Sequence, residues 1–125
     1  MAYSRIAVLV VEDETLVRMG IVDFLEDHNF EVFEAENAAA AIVILRSIVR
    51  ICALFTDVDM PGGMDGMMLA ATVRDRWPPI KIIVTSGHRK VALRDLPIEA
   101  RFFAKPYDPD QIAATLRQMT GSSLH

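Results

Sequence analysis

Short, nearly unbroken apolar runs alternate with amphipathic stretches along this chain of 125 residues. Ile6-Ala7-Val8-Leu9-Val10-Val11 has no polar position, as a strand covered on both faces requires. Behind it, Val17, Ile21, Phe24 and Leu25 fall at i, i+4, i+7 and i+8, the core stripe of a helix. Phe30 to Glu34 reads as a second strand. Asn37 is placed to cap a helix whose inward positions are Ala38, Ala41, Ile42 and Leu45. Ala53 to Thr56 is a third strand and delivers Asp57 at its end. A loop with Pro61, Gly62 and Gly63 follows. Leu69, Val73 and Trp77 continue helically until Pro78-Pro79, where the missing N–H groups stop the helix. Ile80 to Thr85 is a fourth strand ending in Ser86-Gly87, and a short helix is expected over His88 to Arg94. Arg101 to Ala104 is the fifth strand, ending in Lys105-Pro106. Asp108 as cap and Pro109 at the first helical position open a final helix with the face Ile112, Leu116, Met119.

Strands separated by helices in this rhythm predict an α/β domain: a doubly wound, five-stranded parallel sheet built from five βα units. Right-handed crossovers place helices on both faces, and ligands in such folds bind at the carboxyl ends of the strands. The residues to weigh are therefore Glu12-Asp13, Asp57, Ser86 and Lys105.

Composition narrows the classes. One domain is expected over residues 1–125, with its core at about 5–119 and no output domain within it. Apolar residues make up 52 %, enough for a packed interior. The formal net charge of −4 supplies no basic footprint for nucleic acid and no polybasic membrane patch. The first apolar run is too short for a signal-peptide core or a membrane span. The single cysteine, Cys52, excludes an internal disulfide and suits a reducing cytoplasm.

Taken singly, an acid or a serine after a strand is an ordinary cap or turn residue. Together, three acids, a hydroxyl and a lysine converge on one sheet edge. Like charges held close raise one another's pKa, and a fold tolerates them when a cation neutralises them. Hard oxygen donors suit Mg²⁺ or Ca²⁺ rather than Zn²⁺, and Mg²⁺ leaves coordination sites for phosphate oxygens. A carboxylate is a competent nucleophile toward phosphorus, and the charge of the transferring group needs cationic partners such as Lys105 and a donor such as Ser86.

The chain resembles the receiver domains of response regulators in two-component signalling. The likeness rests on Glu12-Asp13, on Asp57-Val-Asp-Met-Pro61, on Asp65-Gly66, on Thr85-Ser86-Gly87 and on Lys105-Pro106, in that order along nearly the whole chain. The resemblance implies a CheY-like, flavodoxin-like fold with strand order 2-1-3-4-5. It implies Asp57 as phosphoacceptor and Mg²⁺ held by Glu12, Asp13, Asp57 and the backbone carbonyl of Asp59. It makes Ser86 the switch hydroxyl, Lys105 the partner of the phosphoryl group, and Phe102 the switch aromatic. It gives Asp59 and His88 the places that tune phosphate lifetime. The implied donor is the phosphohistidine of a sensor histidine kinase or a phosphotransfer protein, and the implied output is a changed surface at strand five and the last helix, read by a downstream protein. Labelling would be stoichiometric, without catalytic turnover apart from slow self-dephosphorylation. Two departures stand out. Gly62-Gly63 lengthens the loop from Asp57 to Gly66, and the stretch from Ser86 to Lys105 is a few residues short.

Two rival functions remain on the table. Asp57-Val58-Asp59 also matches the nucleophile motif of haloacid-dehalogenase-like phosphatases, but there it follows the first strand. A receiver-like binding module that is never phosphorylated is the other. His88 reads as a lining residue of the pocket mouth or as a proton carrier. Val43, Ile44, Ile48 and Val49 make the second helix apolar outside its stripe, which predicts a broad buried face or else a patch for homodimer formation.

Overall fold

A computed structural model describes residues 5–60, 64–87, 96–97 and 99–121. Along these residues the elements are β1 (Ile6–Val11), α1 (Thr15–Asp27), β2 (Phe30–Ala35), α2 (Ala38–Ser47), β3 (Ala53–Asp57), α3 (Gly66–Arg76), β4 (Lys81–Ser86), β5 (Arg101–Ala104) and α4 (Pro109–Thr120). The strands form one parallel sheet in the order β2-β1-β3-β4-β5, as the CheY-like fold requires. The helix expected over His88 to Arg94 and the turn at Pro61 to Gly63 lie outside the described residues.

Two cores sit on the two faces of the sheet. On one, Ile21, Val22 and Leu25 of α1 meet Ile112, Ala113 and Leu116 of α4 over Val8, Val10, Phe55 and Ile83. On the other, Ala38, Ala41 and Leu45 of α2 and Leu69, Ala70 and Val73 of α3 pack on Leu9, Val11, Leu54 and Val84. The period-2 alternation of the central strands divides them between the two cores, which is why both faces of each strand are apolar.

The caps form as their residue types dictate. The Asn37 side chain accepts from Ala40 N–H at 2.8 Å, and Asp108 accepts from Asp110 N–H at 2.9 Å behind Pro109. Asp65 caps α3 by accepting from Met68 N–H at 3.0 Å.

The expected broad buried face on α2 does not form. Val43 is 63 % exposed and Val49 94 %, while Ile42, Ile44 and Ile48 are half-buried. A ten-residue helix laid on a sheet has one side turned to solvent whatever its composition, and Val43 is on that side. No helix among the described residues is long and apolar enough to cross a membrane.

Candidate functional site

The carboxyl ends of β1, β3, β4 and β5 meet at one edge. Glu12 follows β1 directly, Asp57 and Ser86 are the last residues of β3 and β4, and Lys105 follows β5. Register fixes their depth: Asp57 lies opposite Thr85, and Ser86 opposite Ala104. Two backbone bonds beyond the ladder hold the rim, Val58 N–H to Thr85 O at 2.8 Å and Lys105 N–H to Ser86 O at 3.0 Å.

Carboxylate oxygens of Glu12, Asp13 and Asp57 lie within 4.8 Å of one another. Lys105 Nζ stands between two of them, donating to Glu12 Oε1 at 2.9 Å and lying 3.4 Å from Asp57 Oδ2. The lysine is therefore nearer to Glu12 than to Asp57, which the sequence does not suggest. The other Glu12 oxygen, Oε2, accepts from Glu14 N–H at 3.1 Å. Gly87 gives the lysine its path: a Cβ there would lie 3.3 Å from Lys105 Cβ. Burial is deep, with side-chain exposures of 4 % for Asp57, 5 % for Glu12 and 20 % for Lys105.

The electrostatics follow from that burial. Asp57 is lifted above the ordinary carboxylate range by loss of hydration, against the pull of Lys105 and of the Asp59 backbone amide. Burial lifts Glu12 too, with the charge of Asp57 adding to it, although Lys105 and the Glu14 amide oppose. For Lys105, burial alone would lower the pKa, but the bonds and charges of Glu12 and Asp57 outweigh it and the pKa rises. Tyr107, half-buried and edge-on against Phe55 with ring centroids 5.3 Å apart, is pushed up to about 12, mainly by burial and then by the charge of Glu12.

The acidic cluster fits a small hard cation. Its donors are all carboxylate oxygens, and Asp57 Oδ1 is buried with no hydrogen-bond partner. A buried anionic oxygen without a partner is expensive unless a cation meets it. Mg²⁺ suits such a set because it binds through one or two carboxylates and keeps the remaining positions for water and phosphate oxygens.

Ser86 is buried, and its Oγ donates to Asp59 Oδ2 at 2.9 Å. Phe102 pairs with Val84, two residues before Ser86, so both lie on the same face of the sheet. Phe102 is half-buried against the core formed with α2 and α3, against which Leu96 and Ala100 also pack. His88 lies outside the described residues.

Arg18 was not singled out by sequence, and two further residues of this edge, Thr85 and Gly66, were named only as members of the family motifs. Arg18 of α1 reaches back to the site, donating from Nη1 to the Glu12 backbone carbonyl at 2.7 Å and from Nε to Glu34 Oε1 at 3.0 Å. An arginine on the first turns of a helix has no local sign of such a role. Thr85 Oγ1 is buried without a hydrogen-bond partner. Gly66 is the third: a Cβ there would lie 1.9 Å from the Asp57 carbonyl oxygen. A glycine at the first helical position, directly after the capping Asp65, was the available signal.

The sequence profile of the response regulator receiver domain family matches residues 8–117. The chain belongs to that family. It is 38 % identical to the sensor kinase CckA of Brucella abortus over 90 % of this chain but 12 % of that protein. It is 30 % identical to the response regulator receiver protein CpdR of the same organism, over 90 % of this chain and 94 % of CpdR. The chain thus spans about an eighth of CckA and, at 25 %, a quarter of an NtrX-like regulator of Rickettsia bellii. The crystal structure of the receiver domain of hybrid histidine kinase CckA superposes with a TM-score of 0.76 at 29 % identity, covering 91 % of this chain and 98 % of that one. A receiver domain from Clostridium thermocellum, at 21 % identity, shares the fold with a TM-score of 0.86 over 95 % of this chain and 97 % of that one.

Proposed function

We propose that this receiver domain is a phosphorelay switch that takes a phosphoryl group onto Asp57 from a phosphohistidine. The observation that carries the reading is the meeting of Glu12, Asp13 and Asp57, from two strand tips, with Lys105 from a third. In the reaction, an Asp57 carboxylate oxygen forms a bond to phosphorus as the P–N bond to the donor imidazole breaks. The leaving electron pair stays on the imidazole nitrogen, which then takes a proton.

Glu12, Asp13, Asp57 and the Asp59 backbone carbonyl would hold Mg²⁺. When bound, the ion supplies positive charge to the phosphoryl oxygens. Lys105 supplies a second cation, which requires it to exchange its bond with Glu12 for one with the phosphoryl group. Ser86 donates to a third oxygen. Phosphorylation adds about −1.5 to −2 charges at pH 7. As Ser86 moves toward that charge, Phe102 turns into the space it leaves, and the surface around β5 and α4 changes. Asp59 and His88 set the lifetime of the acyl phosphate. The donor is a sensor histidine kinase or a phosphotransfer protein, and the reader of the altered surface is another protein.

The test is to treat the protein with acetyl phosphate and Mg²⁺ and weigh it intact. A gain of one phosphoryl group, absent in Asp57→Asn, is expected. An unchanged mass in the wild type makes the chain a receiver-like binding module and overturns the proposal.

A further inference from the structure

The side chain of Asp59 does something that its position two residues after the acceptor does not require. Its Oδ2 accepts the hydroxyl hydrogen of Ser86 at 2.9 Å. Asp59 is half-buried and Ser86 buried, so water competes poorly for this bond. A serine hydroxyl carries one hydrogen. It can be given to the Asp59 carboxylate or to a phosphoryl oxygen on Asp57, and not to both.

We infer that Asp59 is a positioning residue that holds Ser86 in its resting place and acts as a brake on the switch. The inference rests on the phosphoryl-accepting reading above. Before Ser86 can serve the phosphoryl group, it must leave a hydrogen bond to a charged acceptor, and Phe102 cannot turn inward until it does. This differs from any influence of Asp59 on hydrolysis of the acyl phosphate, because it acts on the equilibrium between the two arrangements rather than on attacking water. It also gives the Asp59 side chain a task separate from that of its backbone carbonyl.

The experiment measures the affinity of beryllofluoride, a stable phosphoryl mimic, in the presence of Mg²⁺, by fluorine NMR titration of the wild type, D59A, D59N, S86A and the combined variants. Urea unfolding first verifies that each variant is folded. D59A is expected to tighten binding about tenfold, because a bond to a charged acceptor no longer has to be broken. D59N removes the charge but keeps an acceptor oxygen for Ser86, so it should tighten binding by only about two- to threefold. In the S86A background, where no hydroxyl exists to be held, neither substitution at 59 should change affinity. Equal tightening by D59A and D59N that persists in the S86A background would mean that Asp59 acts only as a nearby negative charge, and overturns the inference. Should D59A not fold, the D59N and S86A arms decide it in the same way. If the wild type fails to bind beryllofluoride at all, the phosphoryl-accepting reading itself fails and takes the brake with it. If the wild type binds and D59A changes nothing, the brake alone is wrong.

Discussion

Replacing Gly66 by alanine inserts one carbon where the fold has no room for it. The added Cβ would lie 1.9 Å from the Asp57 carbonyl oxygen, 2.7 Å from its carbonyl carbon and 2.8 Å from Val58 Cα. All three are backbone atoms, so no side chain can swing aside. Ordinary contact distance is about 3.5 Å, so the start of α3 must retreat by roughly 1.5 Å. That movement breaks the bond from Gly66 N–H to Val58 O, now 2.9 Å. Losing it costs about 1 kcal/mol, and the residual overlap about 1–3 kcal/mol more. The better helix propensity of alanine returns at most about 1 kcal/mol. A net loss of about 1–3 kcal/mol is expected, or roughly 5–10 °C in Tm for a domain of this size. The control is the same substitution at Gly20, an exposed position in α1 with nothing within 4 Å of the added carbon. There alanine should stabilise by about 0.5–1 kcal/mol. Urea unfolding of both variants gives the answer, with unchanged m values showing that only stability moved. A Gly66→Ala protein within about 0.5 kcal/mol of wild type would show that α3 is not seated on the backbone of Asp57, and would refute the argument.

Three further outcomes are expected. Without divalent cations, Asp57 binds its proton more tightly in the folded chain than in the unfolded one, so its contribution is full at acid pH and is lost as pH rises through its raised native pKa. The stability advantage of Asp57→Asn over wild type should therefore grow from acid to neutral pH in urea melts, and added Mg²⁺ should stabilise the wild type alone; a flat difference contradicts the assignment. Arg18→Ala frees the Glu12 carbonyl and Glu34, and should weaken Mg²⁺ binding about tenfold by calorimetry, with unchanged affinity excluding a supporting role. Burial raises the Cys52 thiol pKa, and its Sγ lies 3.5 Å from the Ala7 carbonyl, so alkylation should be slow in the native protein and should rise in step with unfolding in urea.

Local chemistry made much of this molecule legible from the chain alone. Asn37 and Asp108-Pro109 announce helix starts because capping depends on residues three apart or fewer. The all-apolar strands announce a covered parallel sheet, and a sheet of that type places Glu12, Asp57, Ser86 and Lys105 at one edge. What stayed hidden depends on distances between elements. Val43 looks like core because α2 has few polar residues to mark its outer side, and Val49 because the chain gives no sign that the helix ends at Ser47. Arg18 looks like a solvated helix residue until β2 brings Glu34 beside it. Lys105 stands nearer Glu12 than Asp57, at 2.9 Å against 3.4 Å, and Ser86 donates to Asp59; no spacing along the chain encodes either arrangement.

The bond between Lys105 and Glu12 joins residues 93 positions apart, one at the tip of the first strand and the other just after the last. A ribosome-bound chain that has finished four strands has Asp57 and Glu12 but not Lys105. On the function proposed above, competence to be phosphorylated would therefore arrive late in synthesis, when β5 docks. A nascent or truncated fragment would then draw no signal away from finished molecules, and the capacity to be labelled would double as a certificate that folding is complete.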